Sequence, residues 1–471
     1  MPIPATLLNA LRDRLGARGL LEGADTAAYS EDWRRLYQGH TAAVIRPADT
    51  AELADAVGLC AAARVPLVPQ GGNTSMVGGA TPSEDGSQLV VSLARMDRVR
   101  ALDAVDMTLT IEAGATLKAA QDVAAGAGCL LPLSISAEGS AQIGGVLATN
   151  AGGNNTLRYG NARDLVLGLE VVLADGQVWN GLRRLRKDNT GYCLRQLFVG
   201  SEGTLGIITA AVLKLVPRPT EVAVALCGVA SPAAALALFG RFQRHDAGAV
   251  QAFEYMSGTS MGLVLALIEG AVLPLAEPTP HYVLVELAGS RPGAALRGSM
   301  EAVLGGALED GVVIDAVLAE SHAQRQAIWR LREEHAEAQK RAGGSVKNDI
   351  SVPVSLVPAL IEQASAAVAG LIPGVRIAPF GHMGDGNIHF NLVQPAGQDG
   401  AAFLARSHAM MACVNAVVRR LDGSFSAEHG IGQLKPDMLA DWRGGVELAL
   451  MRRIKAAIDP GGLMNPGKML R

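Results

Sequence analysis

Along the first half of this chain, short apolar runs alternate with polar ones, and glycine-rich turns separate them. Strand-like segments fall at 43–46, 67–69, 89–93, 109–112, 166–173 and 207–215, rich in Val, Ile and Leu. Apolar positions at three- and four-residue spacing predict helices at 50–63 and 116–127, with Thr50 and Thr116 as N-cap candidates. The run Val-Pro-Arg-Pro-Thr at 216–220 reads as a boundary. Beyond it the rhythm becomes strand 221–229, helix 232–244, strand 282–288, helix 293–304 and strand 312–319. That order predicts an antiparallel sheet with helices on one face, near the ferredoxin-like plan. The stretch 261–276 is too short for a bilayer and contains Glu269 and Pro274, so it predicts a buried helix. A long polar helix is expected at 321–341.

The fold class expected is therefore α+β, in three segments. Residues 1–218 form the first domain, with 1–40 as a helical lead-in; 219–420 form a second; 421–471 form a C-terminal segment. The length of 471 residues agrees, because a single core of that size is rare. A net charge of −4 implies no basic face and no nucleic-acid partner. The five cysteines never occur as CxxC, which argues against a disulfide framework or a thiolate zinc site and fits a reducing, cytoplasmic setting. The N-terminus lacks the apolar core of a signal peptide, and no transmembrane segment is expected.

Three glycine-rich segments carry the first candidate chemistry. Pro69-Gln-Gly-Gly-Asn-Thr-Ser-Met-Val-Gly-Gly79 follows a strand; such a loop can turn backbone N–H groups toward one anion. It is neither GxGxxG nor GxxxxGK[ST], so no Rossmann or Walker loop is present. A lone loop of this kind is as often a tight turn. However, a second lies at 140–153, with Arg158-Tyr159-Gly160 close behind, and a third at 200–208.

The second candidate chemistry is in Pro379-Phe-Gly-His-Met-Gly-Asp-Gly-Asn-Ile-His-Phe-Asn391. On one straight strand, His382 and His389 would face opposite sides, but the Gly-Asp-Gly turn lets the first fold back over the second. His389 and Asn391, two apart, are expected to share a strand face. Ser426-Ala-Glu-His-Gly430 adds Glu428 and His429. Two imidazoles and a carboxylate suit a catalytic divalent ion such as zinc, although any single His is more often a hydrogen-bonded core residue.

The three glycine segments, in this order, resemble the FAD-binding domain of the vanillyl-alcohol oxidase/p-cresol methylhydroxylase superfamily. The ordered set GHMGDGNIH, SAEHG and DPGGLMNPGK resembles the C-terminal half of FAD-linked D-2-hydroxyglutarate, D-lactate and glycolate dehydrogenases. The resemblance implies an FAD-binding domain, a ferredoxin-like substrate domain, and a C-terminal segment that returns to the flavin and completes the active site. It implies that Pro69, Gly71, Gly72, Asn73, Thr74, Ser75 and Gly78 hold the pyrophosphate. Pro132, Ser140, Gly144, Gly145, Thr149, Asn150, Gly152, Gly153 and Ile208 would line the rest of the flavin, with Asn465 nearby. The FAD is expected to be non-covalent, since no His stands in the first two loops. His382, His389 and Glu428 would ligate the metal, zinc being expected. Asn391 and His429 would sit at the reacting carbon, and Arg332 and Lys347 would hold the substrate carboxylate.

A dehydrogenase of D-2-hydroxy acids follows, with D-2-hydroxyglutarate the expected substrate. His429 would be the base, and hydride would pass from C2 to flavin N5. The resemblance implies an electron acceptor such as an electron-transfer flavoprotein or a quinone, the latter with peripheral membrane association, and a homodimer is a separate expectation. D-Lactate, D-malate and glycolate remain alternatives, as does an oxidase outcome. One turn past Arg332 stand His335 and Ala336, where a hydroxyglutarate enzyme would be expected to carry a hydroxyl residue. A non-redox metal hydrolase would leave the glycine segments without a role.

Overall fold

A computed structural model describes residues 3–290 and 295–470. The chain divides into two units: Met1–Gly152, Gly160–Arg218 and Glu428–Arg471 in the first, Gly153–Tyr159 and Pro219–Ala427 in the second. The C-terminal segment is thus part of the first unit from Glu428 onward, seven residues later than the expected boundary.

The first unit holds two main sheets. In one, the order is Leu20–Glu22, Ala43–Ile45, Leu89–Ser92, Leu67–Gln70, with the last three strands parallel. Val44, Val68 and Val90 are fully buried at its centre, as parallel strands covered on both faces require. The other sheet is antiparallel: Val99–Asp103, Thr108–Glu112, Ile207–Lys214, Val166–Val172, Val178–Gly181. Its outer strands, 99–103 and 178–181, were not expected, because both are largely exposed and lack an apolar run. Thr116 caps helix Leu117–Gly126 by accepting the Ala119 N–H. Helix Thr50–Ala62 is capped by Asp49 rather than Thr50. The Thr50 hydroxyl instead donates to Glu170 at 2.7 Å.

The second unit is built on a seven-stranded antiparallel sheet: Asp315–Leu318, Glu221–Val229, His281–Gly289, Val250–Ser257, Phe380–His382, Asn387–His389, Asp349–Ser351. Val224, Leu226, Met256, Leu284 and Phe380 pack against Met261, Val264, Ile328 and Leu331 from helices on one face. Phe253, on the opposite face of the same strand as Met256, packs against Phe239 and Phe242 of helix Pro232–Asp246, so helices cover both faces of the sheet and not one as expected. Several expected boundaries move. The helix expected at 293–304 is Leu296–Glu309, and residues 293 and 294 lie outside the described residues. The apolar stretch 261–276 is helical only within Gly258–Leu267. The polar helix at 321–341 is interrupted at Glu334 into His322–Glu333 and His335–Arg341. Val354–Leu371 is long and apolar enough, by length and composition, to cross a membrane. Its buried Val357, Leu360, Ile361, Ala364 and Val368 lie at three- and four-residue spacing on one face, as in a helix packed on a core.

Candidate active site

In the first unit the glycine segments meet backbone to backbone. A Cβ on Gly72 would stand 1.9 Å from the Ser140 carbonyl oxygen, and Gly71 packs beside Gly145, so the first two segments touch with no room for side chains. Asn73, Asn150 and Glu202, one in each segment, all have φ near +50°, the left-handed turn that lets neighbouring N–H groups converge. Several expected cofactor residues use their side chains to build these loops. Asn73 donates to the Glu31 carbonyl, the Ser75 hydroxyl accepts from Val77 and Gly79, and Thr149 donates to the Gly145 carbonyl. Asn150 accepts the Arg163 N–H, and Gly144 donates to Ala113 beside the Ile208 carbonyl. Pro132 is buried.

The C-terminal segment is stitched to these loops. Asn465 donates its amide hydrogens to Gly79 O and Glu202 O, at 2.9 and 2.8 Å, bridging the first and third segments. The Glu202 carboxylate accepts from the N–H groups of Ile431 and Gly432, both at 2.7 Å. Burial pushes this carboxyl up, against the pull of those two N–H donors and Lys435. The turn it holds follows directly on Glu428 and His429, whose side chains are 4.0 Å apart and about a quarter exposed.

In the second unit, the turn brings His382 and His389 together, with ring centroids 5.7 Å apart at 75°. The turn is tight because a Cβ on Gly386 would reach 2.1 Å from the Val352 carbonyl oxygen. His382 Nδ1 lies 2.8 Å from Glu254 Oε1, and Arg332 Nε donates to Glu254 Oε2 at 2.7 Å. Burial alone would raise Glu254, but the charges and hydrogen bonds of His382 and Arg332 outweigh it and hold the carboxyl at about 2. The Arg332 guanidinium lies over Phe380, and among the described residues its two terminal nitrogens make no hydrogen bond. His389 Nδ1 is 4.0 Å from Asp349 Oδ1. Burial pushes Asp385, in the turn itself, up to about 6.

Asn391 does not share a strand with His389. The strand ends at His389, and Asn391 follows a bend in which its N–H returns to the His389 carbonyl. Its side chain donates to Gln339 at 2.8 Å and accepts from the Asn348 N–H at 3.3 Å, which leaves one amide hydrogen unassigned. Lys347 is half-buried between the short strands Ser345–Val346 and Asp349–Ser351.

A model described as "FAD linked oxidases, C-terminal domain" matches residues 218–469, and one described as "FAD binding domain" matches 41–181. The chain belongs to the FAD-linked oxidases. Among relatives of this FAD-linked oxidase, D-2-hydroxyglutarate dehydrogenase of Xanthomonas citri is 38% identical, covering 95% of this chain and 93% of the relative. The mitochondrial D-2-hydroxyglutarate dehydrogenase of Bos taurus is 39% identical, covering 98% and 83%. A putative mitochondrial D-lactate dehydrogenase of Schizosaccharomyces pombe is 35% identical, covering 94% and 85%. The structure of p-cresol methylhydroxylase with substrate bound superposes with a TM-score of 0.74 at 16% identity, covering 100% of this chain and 98% of that one. The fold is therefore of the vanillyl-alcohol oxidase/p-cresol methylhydroxylase type, FAD is the cofactor, and the protein is an oxidoreductase.

Two site residues of this FAD-linked oxidase escaped the sequence reading. Glu254 lies 128 positions before His382, in an apolar strand at 250–257 that was not expected. Glu202 stood inside the third glycine segment, where an acid among small residues was the available signal.

Proposed function

We propose that this protein oxidises D-2-hydroxyglutarate to 2-oxoglutarate with the help of a divalent metal. The observation that carries the reading is the buried Arg332, fixed through Nε by Glu254 while its terminal nitrogens stay unengaged. A guanidinium held in this way is prepared to grip a carboxylate bidentately. The names of the bacterial and bovine relatives agree with a dicarboxylate substrate.

The chain fits both groups the reaction needs. The converging left-handed turns and contacting glycine backbones of the first unit suit a diphosphate and a flat ring, and the buried Gln142 Oε1 between them has no partner. Bound non-covalently, FAD supplies the hydride acceptor at N5. For the metal, His382 presents Nδ1 to a carboxylate, the arrangement that orients a ligating imidazole and leaves Nε2 as the ligand atom. We assign His382, His389 and Glu428 as ligands. A zinc ion there would lower the pKa of the substrate hydroxyl.

Within that frame, His429 takes the hydroxyl proton, Arg332 and Lys347 neutralise carboxylate charge, and the remaining amide hydrogen of Asn391 faces the reacting end. Electrons leave to an electron-transfer flavoprotein or a quinone. D-Lactate is the second reading, carried by the fission-yeast relative. Anaerobic bleaching of the flavin separates the two. D-2-Hydroxyglutarate should bleach faster, at equal concentration, than D-lactate, D-malate, glycolate or the L-enantiomer. A faster D-lactate rate overturns the substrate assignment. His429→Ala should keep its yellow colour but bleach at least about 100-fold more slowly.

A further inference from the structure

Lys468 is 3% exposed, yet among the described residues its ammonium makes no hydrogen bond and no ion pair. No carboxylate lies close enough to influence it, and burial alone pushes it down to about 8. A buried water could satisfy a neutral amide, but it does not neutralise a charge, and an isolated ammonium in a protein interior is costly unless an anion joins it.

Its place in the first unit indicates which anion. The residues before it are tied to the root of the first glycine loop: Leu67 N–H donates to Leu463 O, and Asn465 N–H donates to Leu67 O. The Asn465 side chain reaches the far end of the same loop at Gly79. Just after Lys468, the Met469 N–H donates to Gly432 O, and a Cβ on Gly432 would stand 2.3 Å from the Val77 carbonyl oxygen. Lys468 thus sits between stitches to both ends of the loop at 69–79. The Asn465 Oδ1 atom in the same short segment is also buried without a partner, a second sign that a ligand edge belongs there.

We propose that Lys468 is the counter-charge for the diphosphate of FAD, its Nζ–H donating to a phosphate oxygen. The proposal rests on the family's FAD binding and on the first loop as the phosphate cradle. A permanent anion suits this lysine because the diphosphate is charged in both redox states of the cofactor.

The test uses the full-length chain, reversibly stripped of flavin, as wild type, Lys468→Met and Lys468→Arg. Lys468→Met should weaken FAD binding about 10- to 100-fold, the scale of one charge-assisted hydrogen bond. Lys468→Arg should recover most of that affinity. The stripped Lys468→Met chain should melt at or above the wild-type temperature, since an uncompensated buried charge has been removed. The reduction potential of whatever FAD the variant retains should match wild type. An unchanged FAD affinity overturns the proposal, as does a lower melting temperature of the stripped variant, which marks a structural lysine. Unchanged affinity for oxidised FAD with a shifted potential places the charge at the flavin ring instead. If the wild-type chain itself takes up no FAD, the family reading fails and not this residue's role.

Discussion

Glu254 holds two partners at once, the His382 imidazole through one oxygen and the Arg332 guanidinium through the other, and all three side chains are buried. Removing one member of such a group leaves an uncompensated charge, which costs about 3–5 kcal/mol. Glu254→Gln should therefore lower the unfolding free energy by that order and slow flavin bleaching. The pH dependence follows from the direction of the shift. The folded carboxyl sits at about 2, below an unfolded glutamate near about 4.3. Its charge contributes stability above the unfolded value, and that contribution is lost as pH falls toward the folded one. Urea midpoints measured between about pH 5 and pH 3 should fall more steeply for wild type than for Glu254→Gln; parallel slopes would refute the assignment. The histidines were legible in the sequence because glycines punctuate them at short range. Their partner was not, because a lone acid in an apolar strand becomes meaningful only once the sheet brings Val250–Ser257 beside Phe380–His382.

At the scale of elements, strands with buried apolar runs were legible, while edges and interruptions were not. Strands 99–103 and 178–181 carry no core signal, and the break at Glu334 has no glycine or proline to announce it. That break bears on the substrate argument built on helical spacing. Past the interruption, His335 is fully buried, stacked on Phe380 and bonded to Ser260, while Ala336 is exposed. The glycine segments, by contrast, were recognised by composition, and the structure adds why glycine is needed. At Gly72 there is no space for a Cβ, since the obstacle is the Ser140 carbonyl and not a flexible side chain. Gly72→Ala must push the first two segments apart. The expected result is a folded protein, normal by far-UV circular dichroism, that purifies with a much lower ratio of flavin to protein absorbance. Full flavin occupancy in that variant would show that the two segments do not share the cofactor.

Across the whole chain, the path leaves the first unit at Arg218 and re-enters it at Glu428, and the second unit likewise takes a short piece, Gly153–Tyr159, from the N-terminal half. Both units are therefore assembled from both halves of the sequence. Residues 183–194 are exposed throughout and carry no regular structure, and Arg183, Arg184, Arg186 and Lys187 lie within them. This is where trypsin should cut the native protein first. The cut separates Thr108–Glu112 and Val166–Val172 from Ile207–Lys214, the strand that lies between them in the antiparallel sheet. It also separates Gly79 and Leu67 from Asn465, and Arg158 from the Ala288 carbonyl it donates to at 2.6 Å. None of those contacts depends on the peptide bond being cleaved. The nicked protein should therefore elute as one species on gel filtration, keep its flavin, and fall into two fragments only in denaturant. Were the fragments to part under native conditions, the interleaved assembly of the two units would be wrong, and with it the role given to the C-terminal segment at the cofactor loops.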